Sequence, residues 1–173
     1  MKDLGKTNFC LGLQIKHLPS RIFICQSTYI EKVLKRFYIN KAHSLSSPMI
    51  VRLFDVKKDF FRHLEEGEEV LGPEVPYLSA IGALMYLANC TRPDIAFAVN
   101  LLAQYSSIPT RRHWDRVKHI MRYLRGTTDI GLFYSRKLKP QLIGYADACY
   151  LSDPHTARSQ TGYLFTYGDT AIS

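Results

Sequence analysis

Pro109–Gly126, PTRRHWDRVKHIMRYLRG, carries two chemistries at one helical period. Trp114, Val117, Met121 and Leu124 recur at the spacing of a single apolar face, while Arg111, Lys118, Arg122 and Arg125 are spaced to lie along the opposite side. Pro109 and Thr110 supply the start, and Gly126 stands where a C′ glycine would close the helix. Such a helix must bury one face against a core and present cations on the other. The chain on either side has to supply that core.

The preceding stretch does so. YLSAIGALMYLANC, 77–90, is apolar on nearly every side, as a helix held between neighbours is, with Pro76 expected in its first turn. Thr91-Arg92-Pro93-Asp94 ends it and starts another helix, IAFAVNLLAQY. Further upstream, residues 40–76 are broken by Pro48, Pro73 and Pro76 and hold the run HLEEGEEV. They read as an exposed linker with one turn of helix near Lys57–Leu64. Residues 8–26 read as a β-hairpin turning at Leu18-Pro19-Ser20. A helix follows, with Thr28 and Glu31 as a capping box and Ile30, Val33, Leu34 and Phe37 as its apolar face; Lys32, Lys35 and Arg36 lie on the other side.

After Gly126 the period changes. IGLFYS reads as a short strand and KLKP as a basic turn. QLIGYADACY is a strand with Gly144, Ala146 and Ala148 on one face and Ile143, Tyr145 and Asp147 on the other. A loop, LSDPHTARSQ, leads to the strand TGYLFTY, where Tyr163, Phe165 and Tyr167 share a face. The whole is predicted to be α+β.

A formal charge of +8 makes polyanions natural partners, nucleic acid first; keeping the chain soluble is the alternative reading. The four cysteines form no CxxC pair and, with six scattered histidines, give no zinc spacing, so they read as reduced, mostly buried small hydrophobes. No apolar run approaches the ~20 residues of a membrane span. The start, MKDLGKTNFCLGL, lacks the apolar core of a signal peptide, and an intracellular location, cytoplasmic or nuclear, is expected.

Three features could carry function. Asp147 is an acid in an otherwise apolar strand, and burying it is costly unless it is paired or binds a metal. It is either a Mg²⁺ ligand at a sheet edge or a strand-end carboxylate bonded to a loop. Two-metal phosphodiester chemistry needs several carboxylates, and Asp153, in an Asp-Pro turn, reads as a cap. The aligned cations Arg111, Lys118, Arg122 and Arg125 could neutralise phosphates; alternatively they form a solvated face, with Arg122 and Arg125 complementing the helix dipole. Arg122-Tyr123-Leu124-Arg125 matches the R-x-L-R string of secreted oomycete effectors. Leu124 is needed for the inner face of the helix, so the match reads as accidental.

Several blocks together resemble one family, the Ty1/copia-type retrotransposon Pol polyproteins. MKDLGKTNFCLGLQI is similar to the segment just after the polymerase active site, and STYIEKVLKRFYI to the helix after it. TRPDI and HWDRVKHIMRYLRGT resemble the region between polymerase and ribonuclease H, and GYADACYLSDPHTARSQTGY the opening of the ribonuclease H. The resemblance covers essentially the whole chain.

It implies the end of a reverse transcriptase over 1–43, a linker over 44–76, a helical thumb or connection region over 77–135, and the first part of a ribonuclease H-like domain over 139–173. The family's polymerase site uses Y-x-D-D to hold Mg²⁺, and this sequence contains no Asp-Asp. Asp147 matches the first ribonuclease H aspartate. Cys149 stands where the family often has a second acid, and the other acids would lie beyond Ser173. The expectation is therefore a remnant site that binds Mg²⁺ only if completed by other residues or chains. The chain would keep a basic surface for an RNA–DNA hybrid and be catalytically inactive by itself. A non-catalytic nucleic-acid-binding module and an effector acting through R-x-L-R are the alternatives.

Overall fold

The structure is a computed structural model that describes residues 5–50, 59, 61–62, 64–65, 67–136, 141–150, 153, 158–168 and 170–172, with only the backbone of Cys149 and Gln160. The turn of helix expected near 57–64 falls largely outside these residues. The basic turn 137–140 falls outside them, and so does most of the loop 151–160.

The chain is α+β. Strands β1 (Phe9–Cys10), β2 (Leu13–His17) and β3 (Arg21–Cys25) lead into α1 (Ser27–Arg36), α2 (Tyr77–Cys90), a 3₁₀ turn (Pro93–Ile95), α3 (Ala96–Ala103) and α4 (Arg111–Gly126). Strands β4 (Gly131–Ser135), β5 (Leu142–Cys149), β6 (Gln160–Tyr167) and β7 (Thr170–Ala171) follow. Two antiparallel sheets result, ordered β1-β2-β3-β4 and β5-β6-β7.

The expected N-terminal hairpin is a meander. NFCLGLQIKH is broken by a two-residue turn in which Leu11 and Gly12 both have positive φ, 48° and 80°. That pair of angles suits the right-handed twist of a tight hairpin, at a steric cost for Leu11. Tyr86 of α2 donates its hydroxyl to the Leu11 carbonyl. A Cβ on Gly12 would lie 3.1 Å from that hydroxyl, so the approach of α2 also favours glycine there.

The strand after α4 is what closes the fold. β4 pairs with β3 from Arg21↔Ser135 to Cys25↔Gly131, so segments more than a hundred residues apart lie in one sheet. Phe23 and Phe133, directly opposite, stack with centroids 4.4 Å apart.

Helix α1 starts without the predicted capping box. Gln26 is the N-cap and makes no side-chain cap bond; the orphan N–H of Thr28 instead donates to Gln14 Oε1 of β2 at 3.1 Å. A partner brought by the sheet replaces a local one. Pro76 is the N-cap of α2 rather than its first helical residue. At α4 the local cap does form, from an unexpected residue. Thr110 is the N-cap, and His113 Nδ1 accepts from the Thr110 N–H at 3.2 Å, completing a capping box with histidine at N3.

One apolar core runs through α1, α2, α3 and α4. Ile30, Leu84, Leu87, Ile95, Val117 and Leu124 are wholly buried in it. Trp114 packs at its margin, against Phe37 and Tyr77. The stretch 40–76 is not wholly exposed, because Phe61 is a core residue and Asp59 is buried. The described part of this stretch wraps α4. The main chain of Val70 bridges Thr110, and Arg112 donates to Glu68 Oε2 at 2.7 Å.

Of the thiols whose surroundings are described, Cys10 is exposed, Cys25 buried and Cys90 half-buried; all three are free. No helix among the described residues is long and apolar enough to cross a membrane.

Candidate nucleic-acid interface

Helix α4 places Arg111, Lys118, Arg122 and Arg125 on one side, as its period requires, and its neighbours divide them into two pairs. Asp115 takes the first pair. Its Oδ1 lies 2.6 Å from Lys118 Nζ and 3.8 Å from Arg111 Nε. This is the ordinary i,i+3 and i,i+4 pairing of an exposed helix face, and it halves their local charge.

The second pair meets main chain instead. Residues 40–50 lie along the C-terminal half of α4 as a strap. Arg125 Nε donates to the Asn40 carbonyl at 2.9 Å, and Arg122 Nε to the His43 carbonyl at 2.8 Å. Leu45 N–H donates to the Arg122 carbonyl at 3.2 Å, and His119 Nε2–H to the Ser47 carbonyl at 3.0 Å. Met49 packs on the core. Neither Arg122 nor Arg125 has an ion pair among the described residues. Burial lowers the affinity of His119 for a proton; Arg116 and Arg122 act in the same direction and the Ser47 carbonyl opposes them.

Gly126 was expected as a left-handed C′ residue. It is instead the last residue of α4, with Thr127 as the C-cap, and its φ is not positive. Its small size admits the strap: a Cβ there would lie 3.1 Å from Ser44 Cβ and 3.4 Å from the Leu45 carbonyl.

Asp147 lies apart from this helix, on β5 opposite Gly162 of β6, and is exposed. The register puts Gly144, Ala146 and Ala148 on the same face as Tyr163, Phe165 and Tyr167, so the small residues of one strand receive the rings of the other. A Cβ on Gly144 would meet the Phe165 ring at 2.8 Å. Asp153 closes a loop through its own N–H, which donates to the Arg158 carbonyl at 3.1 Å. Among the described residues no group of three or more His, Cys, Asp or Glu side chains is placed to hold a metal ion. A two-metal site needs several hard oxygen ligands, and Asp147 is one carboxylate, so the described residues do not fit it.

The strap went unread in the sequence because carbonyls accept these bonds, and every residue carries one. Asp115 was missed as well, although its spacing, i+4 from Arg111 and i−3 from Lys118, could have shown it. Arg92 was also missed. It is wholly buried, donates to Asp94 and to the Thr127 carbonyl and hydroxyl, and so ties the α2–α3 junction to the end of α4.

Over its full length the chain is 42% identical to the retrovirus-related Pol polyprotein of the tobacco transposon TNT 1-94, of which it spans 13%. It is 32% identical, again over its full length, to the uncharacterized mitochondrial protein AtMg00810 of Arabidopsis thaliana, and covers 68% of it. The chain belongs to the Ty1/copia-type retrotransposon Pol polyprotein family. It also shares 46% identity over 99 residues with a Plasmopara viticola protein named secreted RxLR effector protein 161; the match takes in 57% of this chain and 70% of that one. No family model matches the chain, and no solved structure does. In this copia-type chain the R-Y-L-R string lies inside α4, with Leu124 wholly buried and both arginines bonded to the strap.

Proposed function

We propose that this chain is the part of a copia-type Pol polyprotein in which the end of a reverse transcriptase passes through a helical thumb or connection region into the opening of a ribonuclease H-like sheet. In this reading it grips an RNA–DNA hybrid through the basic side of α4 and performs no polymerase or nuclease chemistry by itself. The observation that carries the reading is the pair of guanidiniums, Arg122 and Arg125, held at the surface of α4 without a carboxylate partner among the described residues. Phosphates are the anions a copia-type protein meets, and arginine on an exposed helix suits them. The non-catalytic part of the reading is supported by the sequence, which holds no Asp-Asp, and by the exposed Asp147, around which the described residues gather no group of three or more metal-ligating side chains.

The test uses the purified chain and a labelled RNA–DNA hybrid. Binding is expected to weaken steeply as salt rises, and the RNA strand is expected to survive incubation with Mg²⁺. Cleavage that needs Mg²⁺ and disappears in Asp147→Asn would show the non-catalytic reading wrong. Binding indifferent to salt would show the interface wrong. The effector reading gains nothing from this structure, since an R-x-L-R string whose leucine is in the core is not presented to a receptor while α4 is folded.

A further inference from the structure

We infer that the strap orients Arg122 and Arg125 as a paired phosphate grip, and that Arg111 and Lys118 take no part in it. This rests on the nucleic-acid reading above and assigns its contacts.

Charge separates the pairs. Arg111 and Lys118 share Asp115, which leaves one net positive charge among three side chains. Arg122 and Arg125 form no ion pair among the described residues, so both charges are whole. Their only hydrogen bonds among the described residues run from Nε to neutral carbonyls. A guanidinium has five N–H donors, so each arginine retains the four on its Nη atoms.

Orientation separates them too. An Nε–H bound to a fixed carbonyl sets the plane of the guanidinium, and a planar fork with a set plane matches phosphate oxygens in pairs. The spacing is shared: Arg122 and Arg125 are three residues apart on a helix, with Cβ atoms about 5–6 Å from each other, and their acceptors, Asn40 and His43, are three apart on the strap. The strap keeps this register because Gly126 lets Ser44 and Leu45 come close and because Met49 is seated on the core. Exposed Lys41, between the two acceptors, adds a further positive charge at the same edge. The ligand class is a phosphodiester backbone, which offers phosphates in series.

The experiment measures binding of the full chain to an RNA–DNA hybrid across a salt series, with circular dichroism confirming that each variant is folded. Arg122→Gln with Arg125→Gln should lower the slope of log affinity against log salt by about 1.8, the loss of two phosphate contacts at about 0.9 each. Arg111→Gln with Lys118→Gln should leave the slope unchanged. Arg122→Lys with Arg125→Lys keeps both charges but lacks the fork, and should lose about tenfold in affinity with the slope retained. Gly126→Val, which pushes on the strap, should lose affinity in the same way. If the Arg111/Lys118 variant loses as much slope as the Arg122/Arg125 variant, the assignment is wrong while the nucleic-acid reading stands. If the native chain shows no salt-dependent binding, both fall. Where the glutamine pair does not fold, the lysine pair decides, and native affinity in it overturns the grip.

Discussion

Arg92 holds both carboxylate oxygens of Asp94, Nε to Oδ1 at 2.9 Å and Nη2 to Oδ2 at 2.7 Å, from a position with no solvent exposure. The two residues flank Pro93 at the end of α2. Tyr123 of α4 donates its hydroxyl to the same carboxylate at 2.8 Å, and the guanidinium lies over its ring. The end of α2, the 3₁₀ turn and α4 therefore meet on one ion pair, and Arg92 also donates to the Thr127 carbonyl and hydroxyl.

Removing Arg92 should destabilise the chain through the partner it leaves behind. Loss of one member of a buried pair costs about 3–5 kcal/mol. Asp94 keeps 32% side-chain exposure and the Tyr123 bond, which points to the lower end, about 3 kcal/mol for Arg92→Met. Urea unfolding should show an earlier midpoint with an unchanged slope. An unmoved midpoint would mean that the pair adds nothing.

Acid should weaken the same joint. Burial would raise the Asp94 carboxyl, but the bonds from Arg92 and Tyr123 more than offset it and hold the group below its ordinary value. Glu68 is also lowered: burial raises it, and the Glu65 N–H, Arg112 and Arg62 together outweigh that. A carboxyl lowered in the folded state stabilises the fold above its unfolded value, about 4, and that contribution is lost as pH falls through the folded value. The urea midpoint should therefore hold between about pH 7 and 5 and fall below about 4. Asp94→Asn should flatten this fall. The same acid dependence in native protein and variant would exclude Asp94 as its source.

Gly126 sets two effects against each other. Alanine in a helix gains about 0.5–1 kcal/mol over glycine, and its methyl would sit 3.1 Å from Ser44 Cβ. The strap needs to give only a few tenths of an ångström, so Gly126→Ala should lie within about 1 kcal/mol of native. Valine adds bulk without further helix preference and should cost about 1–3 kcal/mol as overpacking. Thermal unfolding of the two variants checks the order, and equal melting temperatures would show that the strap yields freely.

The helices were legible in the sequence because each carries its own signal. The i, i+3, i+4 recurrence of Ile30, Val33, Leu34 and Phe37 became α1, and the all-round apolarity of 77–90 became α2. Element ends were less legible. Thr28 and Glu31 form a valid capping box in one dimension, yet Gln14 arrives from β2 and takes the bond. His113 carries no capping signal in one dimension, yet it completes the cap of α4 because its ring is also fixed from outside, against Tyr105 and the Arg62 carbonyl.

At the candidate interface, the sequence by itself determined that α4 would be amphipathic and that Arg111, Lys118, Arg122 and Arg125 would share a side. Helical period and residue type suffice for that. Which of those cations keep their charge was decided only by tertiary structure. Asp115 neutralises from within the helix, whereas the acceptors of Arg122 and Arg125 are carbonyls some eighty positions upstream. A carbonyl is the same in every residue, so no pattern of side chains announces it. The joining of β4 to β3 has the same cause: main-chain bonds make the sheet, and only the folded chain selects which strand supplies them.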